Sequence, residues 1–315
     1  MSILQPRDTT GVLTLPQPRV FEGIDPPLTG LDAVYASAPH LVFDDASRFV
    51  FLSDCHRGDG SSADAFSQNE ELYLAALSRY HRRGYTYVEV GDGDDLWLNR
   101  DLDVVKQAHP RVFDMLHAFE AEQRLYLIEG NHETGQPTDT KDGIAVHQGL
   151  VLDHAIHHQR LFVVHGHQQD LPNAALAGWT RFWVRRVWSP LSRSCLGRAW
   201  RPTGTGEPPA GALGSAMRWL HAQRRHVAQD LAAWADARRL TTICAHTHRP
   251  ECANYGQAPY FNTGSCIAPG YITGLELERG VLSLVKWTLG AFPGGGGLRA
   301  ERQLLAAPRA LCLFP

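Results

Sequence analysis

Seven side chains of the sequence are of the types that share metal chemistry. Asp54, His56, Asp92, Asn131, His165, His246 and His248 all offer oxygen or nitrogen, and none is a thiolate. Such a mixed set suits Mn²⁺, Fe²⁺, Co²⁺ or Zn²⁺ and argues against a Cys-rich structural zinc site. Seven donors exceed the needs of one tetrahedral ion, and a carboxylate has two oxygens with which to bridge a pair. Two ions about 4 Å apart can clamp an in-line displacement at phosphorus: one lowers the pKa of a water, and both neutralise the phosphoryl oxygens. The local spacing allows this. Asp54 and His56, and again His246 and His248, stand at i and i+2. On an extended strand end these face the same side, and a loop just past a strand can also bring them together.

The elements that must position these donors are legible as apolar runs. Residues 49–53 read as a strand ending in Asp54-Cys55-His56. A helix over 69–82, ended by Gly84, precedes a strand over 85–90 that stops at Gly91-Asp92. A helix over 111–123 precedes a strand over 125–128 that ends at Gly130-Asn131-His132. The runs 161–164 and 240–245 end at His165-Gly166-His167 and His246-Thr247-His248. Alternating helix and strand predict an α/β class. Ligand sites in such sheets gather beyond the carboxyl ends of the strands, so five clusters on one sheet edge are expected to meet. Residues 273–277 and 281–287 flank Glu278-Arg279-Gly280 and read as a hairpin.

In order, SDCH (53–56), GDGDD (91–95), GNHE (130–133), VHGH (164–167) and AHTH (245–248) resemble the calcineurin-like metallophosphoesterase family, whose pattern is DxH, GDxxD, GNH(E/D), an HG-type histidine and GHxH. The run PYFNTGS (259–265) is similar to that family's strand after the last motif, and Ala245 stands where the family usually has Gly. The resemblance implies a four-layer αββα sandwich and hydrolysis of a phosphate ester or anhydride by metal-activated water. It implies that Asp54, His56 and His248 hold the first of two divalent ions, Mn²⁺ before Fe, Zn or Co. Asn131, His165 and His246 would hold the second, with Asp92 bridging. His132 would be the catalytic acid, and Asp95 and Glu133 would orient the ligands or His132. A non-catalytic scaffold of the same fold, as in the retromer subunit, is the rival class. It predicts missing ligands or a missing GNH histidine, whereas this chain keeps the ligands and that histidine.

With 315 residues and 43% hydrophobic content, the chain suits one large domain. It divides into an N-terminal arm (1–30), a main domain (31–290) and a flexible tail (291–315) containing Gly294–Gly297, in which 298–312 could form a short helix. A net charge of −3 gives no whole-chain case for nucleic-acid binding. Six dispersed cysteines without a CxxC pair read as reduced thiols of a cytoplasmic protein. The opening MSILQPRDTT has no basic region before an apolar run, and no stretch of about 18 apolar residues occurs. Cys55 reads as a packed small residue, and His147, His154, His157 and His158 as loop and strand histidines.

An insertion at 168–239 holds six of the eight tryptophans together with many arginines. Its second half reads as a helix over 213–239, with Met217, Leu220, Val227, Leu231 and Trp234 on one stripe. The insertion could pack on the core, cap the site with Arg181, Arg185 and Trp183 against an anionic substrate, or touch a membrane surface. HGHQQD (165–170), GDGDDLW (91–97) and AHTHRP (245–250) resemble the branch containing UDP-2,3-diacylglucosamine pyrophosphatases. That likeness implies a phosphorylated small molecule or a lipid-linked nucleotide as substrate, the latter met at the inner membrane surface. The best-known members carry Arg where His132 stands.

Overall fold

The structure, a computed structural model, describes residues 30–99, 101–133, 140–157, 159–169, 226–291 and 298–313. Two mixed sheets carry the site. The larger runs β14 (Leu298–Leu304), β13 (Val281–Ala291), β12 (Tyr271–Glu278), β2 (Arg48–Leu52), β3 (Thr86–Val90), β4 (Leu125–Ile128), β6 (Ile144–His147), β5 (Thr140–Lys141), with β15 (Arg309–Ala310) also on β13. The smaller runs β1 (His40–Phe43), β7 (Gly149–His154), β8 (Arg160–Val164), β9 (Thr241–Cys244), β11 (Pro259–Asn262), β10 (Glu251–Asn254). Strands β2, β3 and β4 are parallel, as are β8, β9 and β11.

Strand β2 shows why the sheets stack as they do. Its sequence RFVFL is apolar on both faces, as a doubly covered strand requires. Phe49 and Phe51 join Val88, Val90 and Ile128 against Leu161, Val163 and Ile243 of the smaller sheet. Val50 and Leu52 point the other way, toward Leu72 and Leu77 of α2 (Glu70–Arg82) and Val112 and Leu116 of α4 (Pro110–Ala121). On the opposite side, Leu31 and Val34 of α1 (Gly30–Ser37) and Leu231 and Trp234 cover Val151, Phe162 and Val164. Each such side chain, fully buried, contributes about 1.5–3 kcal/mol. The four-layer αββα sandwich is therefore the arrangement this chain adopts. Pro110 opens α4, where its missing N–H costs nothing, and follows the short α3 (Leu102–Ala108).

Three expectations change. The five donor-bearing strands do not share one sheet edge: β2, β3 and β4 lie in the larger sheet, and β8 and β9 in the smaller. Parallel apolar runs look alike in sequence whichever sheet they join. The tail contains strands: β14 pairs antiparallel with β13, where a short helix or a flexible stretch was expected. The open edge of β13 offers unpaired backbone groups, and Arg302 reaches Glu276 at 2.8 Å, which outweighs the helix propensity of LRAERQL. Finally, Gly30 begins α1 instead of ending an arm. Of the insertion, 226–236 are helical (α5), with Val227, Leu231 and Trp234 buried as the stripe predicts. Arg181, Arg185 and Trp183 lie outside the described residues. Among the described residues no helix is long and apolar enough to cross a membrane.

Candidate metal centre

The site lies at the joint carboxyl rim of both sheets. The loops after β2 and β3 run side by side: Asp54 N donates to Gly91 O (3.1 Å), His56 N to Asp92 O (2.9 Å) and Arg57 N to Gly93 O (3.0 Å). Asp54, His56, Asp92, His246 and His248 have φ of 48°, 45°, 51°, 65° and 57°. The i, i+2 pairs thus converge through left-handed turns past the strands and not along extended strand ends. Each such residue without a glycine's freedom costs of order 1–3 kcal/mol, and strain held in place at this density marks a functional site.

Two groups of donors result. Asp54, His56 and His248 bring their ligand atoms within 4.8 Å of one another, and so do Asp92, His165 and His246. Asp92 Oδ2 stands between them, 3.3 Å from His165 Nε2 and 3.8 Å from His56 Nε2. Asn131 Oδ1 is 3.2 Å from His165 Nε2. His165 Nδ1 donates to Val90 O at 2.8 Å, which points Nε2 into the site.

The polar atoms fit cations. His56 Nε2 and His248 Nε2 face each other at 3.2 Å, where at most one can carry a proton between them. Asp54 Oδ1 is buried and receives no hydrogen bond, although His248 Nε2 is 3.0 Å away. The other oxygen, Asp54 Oδ2, is held by Ser53 Oγ at 2.6 Å and His246 N at 3.3 Å. Carboxylate and imidazole atoms crowded together in a largely buried place are stable only with positive charge among them, whether protons or metal ions.

The electrostatics agree. Burial alone would raise the Asp54 and Asp92 carboxyls, but His248 beside the first and His165 beside the second hold both well below the usual range. Burial pushes His56 down to about 4, helped by His132. Burial also opposes charge on His165, but Asp92 outweighs it and lifts the imidazole to about 9.

His132 sits at the edge of this cluster. Its backbone N donates to Asp92 Oδ1 at 2.9 Å, and its Nδ1 is 3.0 Å from Asp95 Oδ1. Burial lowers its pKa, but the charges of Asp92 and Asp95 outweigh that and raise it. Asp95 thus stands where it can hold the His132 ring by Nδ1. Glu133 Oε1 accepts from Asp94 N (3.1 Å) and Oε2 from Gly130 N (3.2 Å), so it braces the loops that carry Asp92 and Asn131 against each other.

Sequence reasoning missed the charged layer beneath. Arg57 is fully buried and donates to both oxygens of Glu89 (2.7 and 2.8 Å) and to Asp94 Oδ1 (2.6 Å). Lys141 Nζ reaches Asp94 Oδ2 (2.6 Å), Glu133 Oε1 (3.0 Å) and Glu89 Oε1 (3.3 Å). One signal was available, since Glu89 interrupts the apolar run TYVEV. Nothing local to Lys141 announces its partners. A cavity of about 270 Å³, lined by Ala228, Gln229, Thr247, Arg249, Glu251 and Tyr255 among others, borders the His246–His248 loop.

No protein-family model and no curated protein matches the sequence. Solved structures similar to it include a predicted phosphoesterase from Streptococcus pneumoniae TIGR4, 14% identical, covering 82% of this chain and 97% of that one, with a TM-score of 0.35. Vps29 from Chaetomium thermophilum is 12% identical, covers 82% and 98%, and scores 0.34. The I115M mutant of a cold-active protein tyrosine phosphatase is 14% identical, covers 84% and 82%, and scores 0.38. Likeness at this level carries no argument about chemistry, which rests on the chain's own residues.

Proposed function

We propose that the protein is a metal-dependent phosphohydrolase acting on a phosphate ester or anhydride. The observation that carries this is the meeting of the two donor groups at Asp92, whose Oδ2 lies 3.3 Å from His165 Nε2 and 3.8 Å from His56 Nε2. Asp54, His56 and His248 would hold one divalent ion. His165, His246 and Asn131 would hold the other, with Asp92 shared. Ions bound there supply acidity to a water and charge compensation to a phosphoryl group. The chain supplies the rest. Asp95 accepts from His132 Nδ1, so Nε2 is the atom that gives a proton to the leaving oxygen. Asp95, by accepting from Nδ1, favours the charged imidazole and so helps to hold that proton near neutral pH.

The test is a screen after reconstitution with Mn²⁺, Fe²⁺, Co²⁺ or Zn²⁺. Its substrates are p-nitrophenyl phosphate, bis-p-nitrophenyl phosphate, cyclic nucleotides and, for the motif likeness noted above, a UDP-sugar lipid. Turnover should require the ion, with Mn²⁺ the first to examine. His132→Ala should lower kcat by about 10²–10⁴-fold. Activity that survives exhaustive chelation would refute the metal reading, and full activity of His132→Ala would refute the acid.

A further inference from the structure

The His132 ring is held from three directions. Asp95 Oδ1 lies 3.0 Å from Nδ1, and the His56 ring meets it edge-on at 4.5 Å. The Trp97 indole lies along its face, with ring centroids 4.1 Å apart and planes 16° from parallel. Trp97 is anchored in turn, because its Nε1–H donates to the Asn131 carbonyl at 2.7 Å. One side chain therefore grips two consecutive residues, the backbone of Asn131 and the ring of His132.

A single hydrogen bond at Nδ1 leaves the imidazole free to rock about that bond, which would swing Nε2 out of line. A flat partner on the ring face removes that freedom. An indole has one donor and no acceptor, so it is neither a ligand nor an acid. We propose that Trp97 is a positioning residue that aims His132 Nε2 at the leaving oxygen. This rests on the reading of His132 as the acid, and it adds a side chain to which no role was assigned above.

A mis-aimed acid matters most when the leaving oxygen most needs a proton. The experiment takes whichever ester class the reconstituted wild type turns over and compares its p-nitrophenyl and phenyl versions. Trp97→Leu should lower kcat on the phenyl ester by about a hundredfold and on the p-nitrophenyl ester by about threefold or less. Trp97→Phe, which keeps a ring face, should stay near wild type. Combining Trp97→Leu with His132→Ala should be no worse than His132→Ala alone, since both changes act through one proton. Equal losses on the two esters, or full additivity, would overturn the proposal.

A second readout is independent of turnover. In the metal-free protein, the carbon-bound ring protons of His132 should resonate upfield in the wild type, from the indole ring current, and lose that shift in Trp97→Leu. An unshifted wild-type signal would overturn the proposal whatever the activity. Absence of turnover of every substrate in the screen by the metal-loaded wild type would instead overturn the phosphohydrolase reading.

Discussion

At the scale of single residues, the centre depends on glycines as much as on donors. A Cβ added at Gly130 would stand 2.2 Å from both Asp92 N and Asp92 Oδ1. One at Gly91 would stand 2.4 Å from His165 Nδ1, at a φ of +78°. The glycines of GDGDD and GNHE are therefore the space into which the ligands fit. Gly130→Ala should displace Asp92, the residue common to both groups, without removing a donor. The expected result is a loss of stability of about 1–3 kcal/mol and a marked weakening of Mn²⁺ binding, read by urea denaturation and calorimetric titration. Wild-type affinity in this variant would show that Asp92 is not held where the structure has it.

At the scale of elements, the donors stay in place because the loops carrying them are tied down. Asp64 Oδ2 accepts from Gly58 N (3.1 Å) and Gly60 N (3.0 Å), in the loop that follows His56. His109, buried at the junction of α3 and α4, brings Nε2 to 2.7 Å from Asp64 Oδ2 and Nδ1 to 3.0 Å from Glu70 Oε2. Both nitrogens face carboxylates, so the imidazolium is the form that fits. Burial opposes its charge, but the hydrogen bonds it donates to Asp64 and Glu70 outweigh that and raise the pKa above 6.5. A raised folded-state pKa means that His109 stabilises fully below 6.5, and that this contribution fades as pH rises through the higher folded value. Asp64 is shifted the opposite way, below 3.8, so its share is lost only in acid. His109→Gln should cost about 3–5 kcal/mol near pH 6 and clearly less near pH 9. Urea denaturation at the two pH values reads the difference, and a gap that widened toward pH 9 would contradict the assignment.

The same scale shows what the sequence could and could not tell. Strands such as 125–128 were legible because an apolar run stops at a polar cluster, and the hairpin at Arg279-Gly280 because its turn has a residue signature. The candidate donor cluster was legible because all seven donors sit directly after such runs. Sheet membership was not, since β3 and β8 are both buried on two faces and carry the same pattern. The Arg57–Glu89–Asp94–Lys141 layer was not legible either, because pairing across elements leaves no periodic trace in any one of them. Lys141→Met tests that layer. It would leave Asp94, Glu133 and Glu89 facing one another with one cation fewer, and a loss of about 3–5 kcal/mol by chemical denaturation is expected. A neutral substitution would mean that Arg57 alone suffices.

At the scale of the whole molecule, the two sheets are joined by the apolar layer containing Phe51, Val88, Val163 and Ile243, and at one rim by the donor cluster. Asp54, Asp92 and Asn131 follow strands of the larger sheet, while His165, His246 and His248 follow strands of the smaller. Each ion would therefore take ligands from both sheets and act as a clasp across their interface. Ligands that bind only the folded state stabilise it by mass action, by about 2.7 kcal/mol at a concentration one hundred times Kd. Adding Mn²⁺ should raise Tm. It should also slow amide exchange together at the carboxyl ends of β2, β3, β8 and β9, because opening either sheet would release the ion. Asp92→Asn, which removes the shared charge while keeping the shape, should abolish most of the shift. Protection gained in one sheet alone would mean that the ion is bound on one side, and the shared role of Asp92 would fall with it.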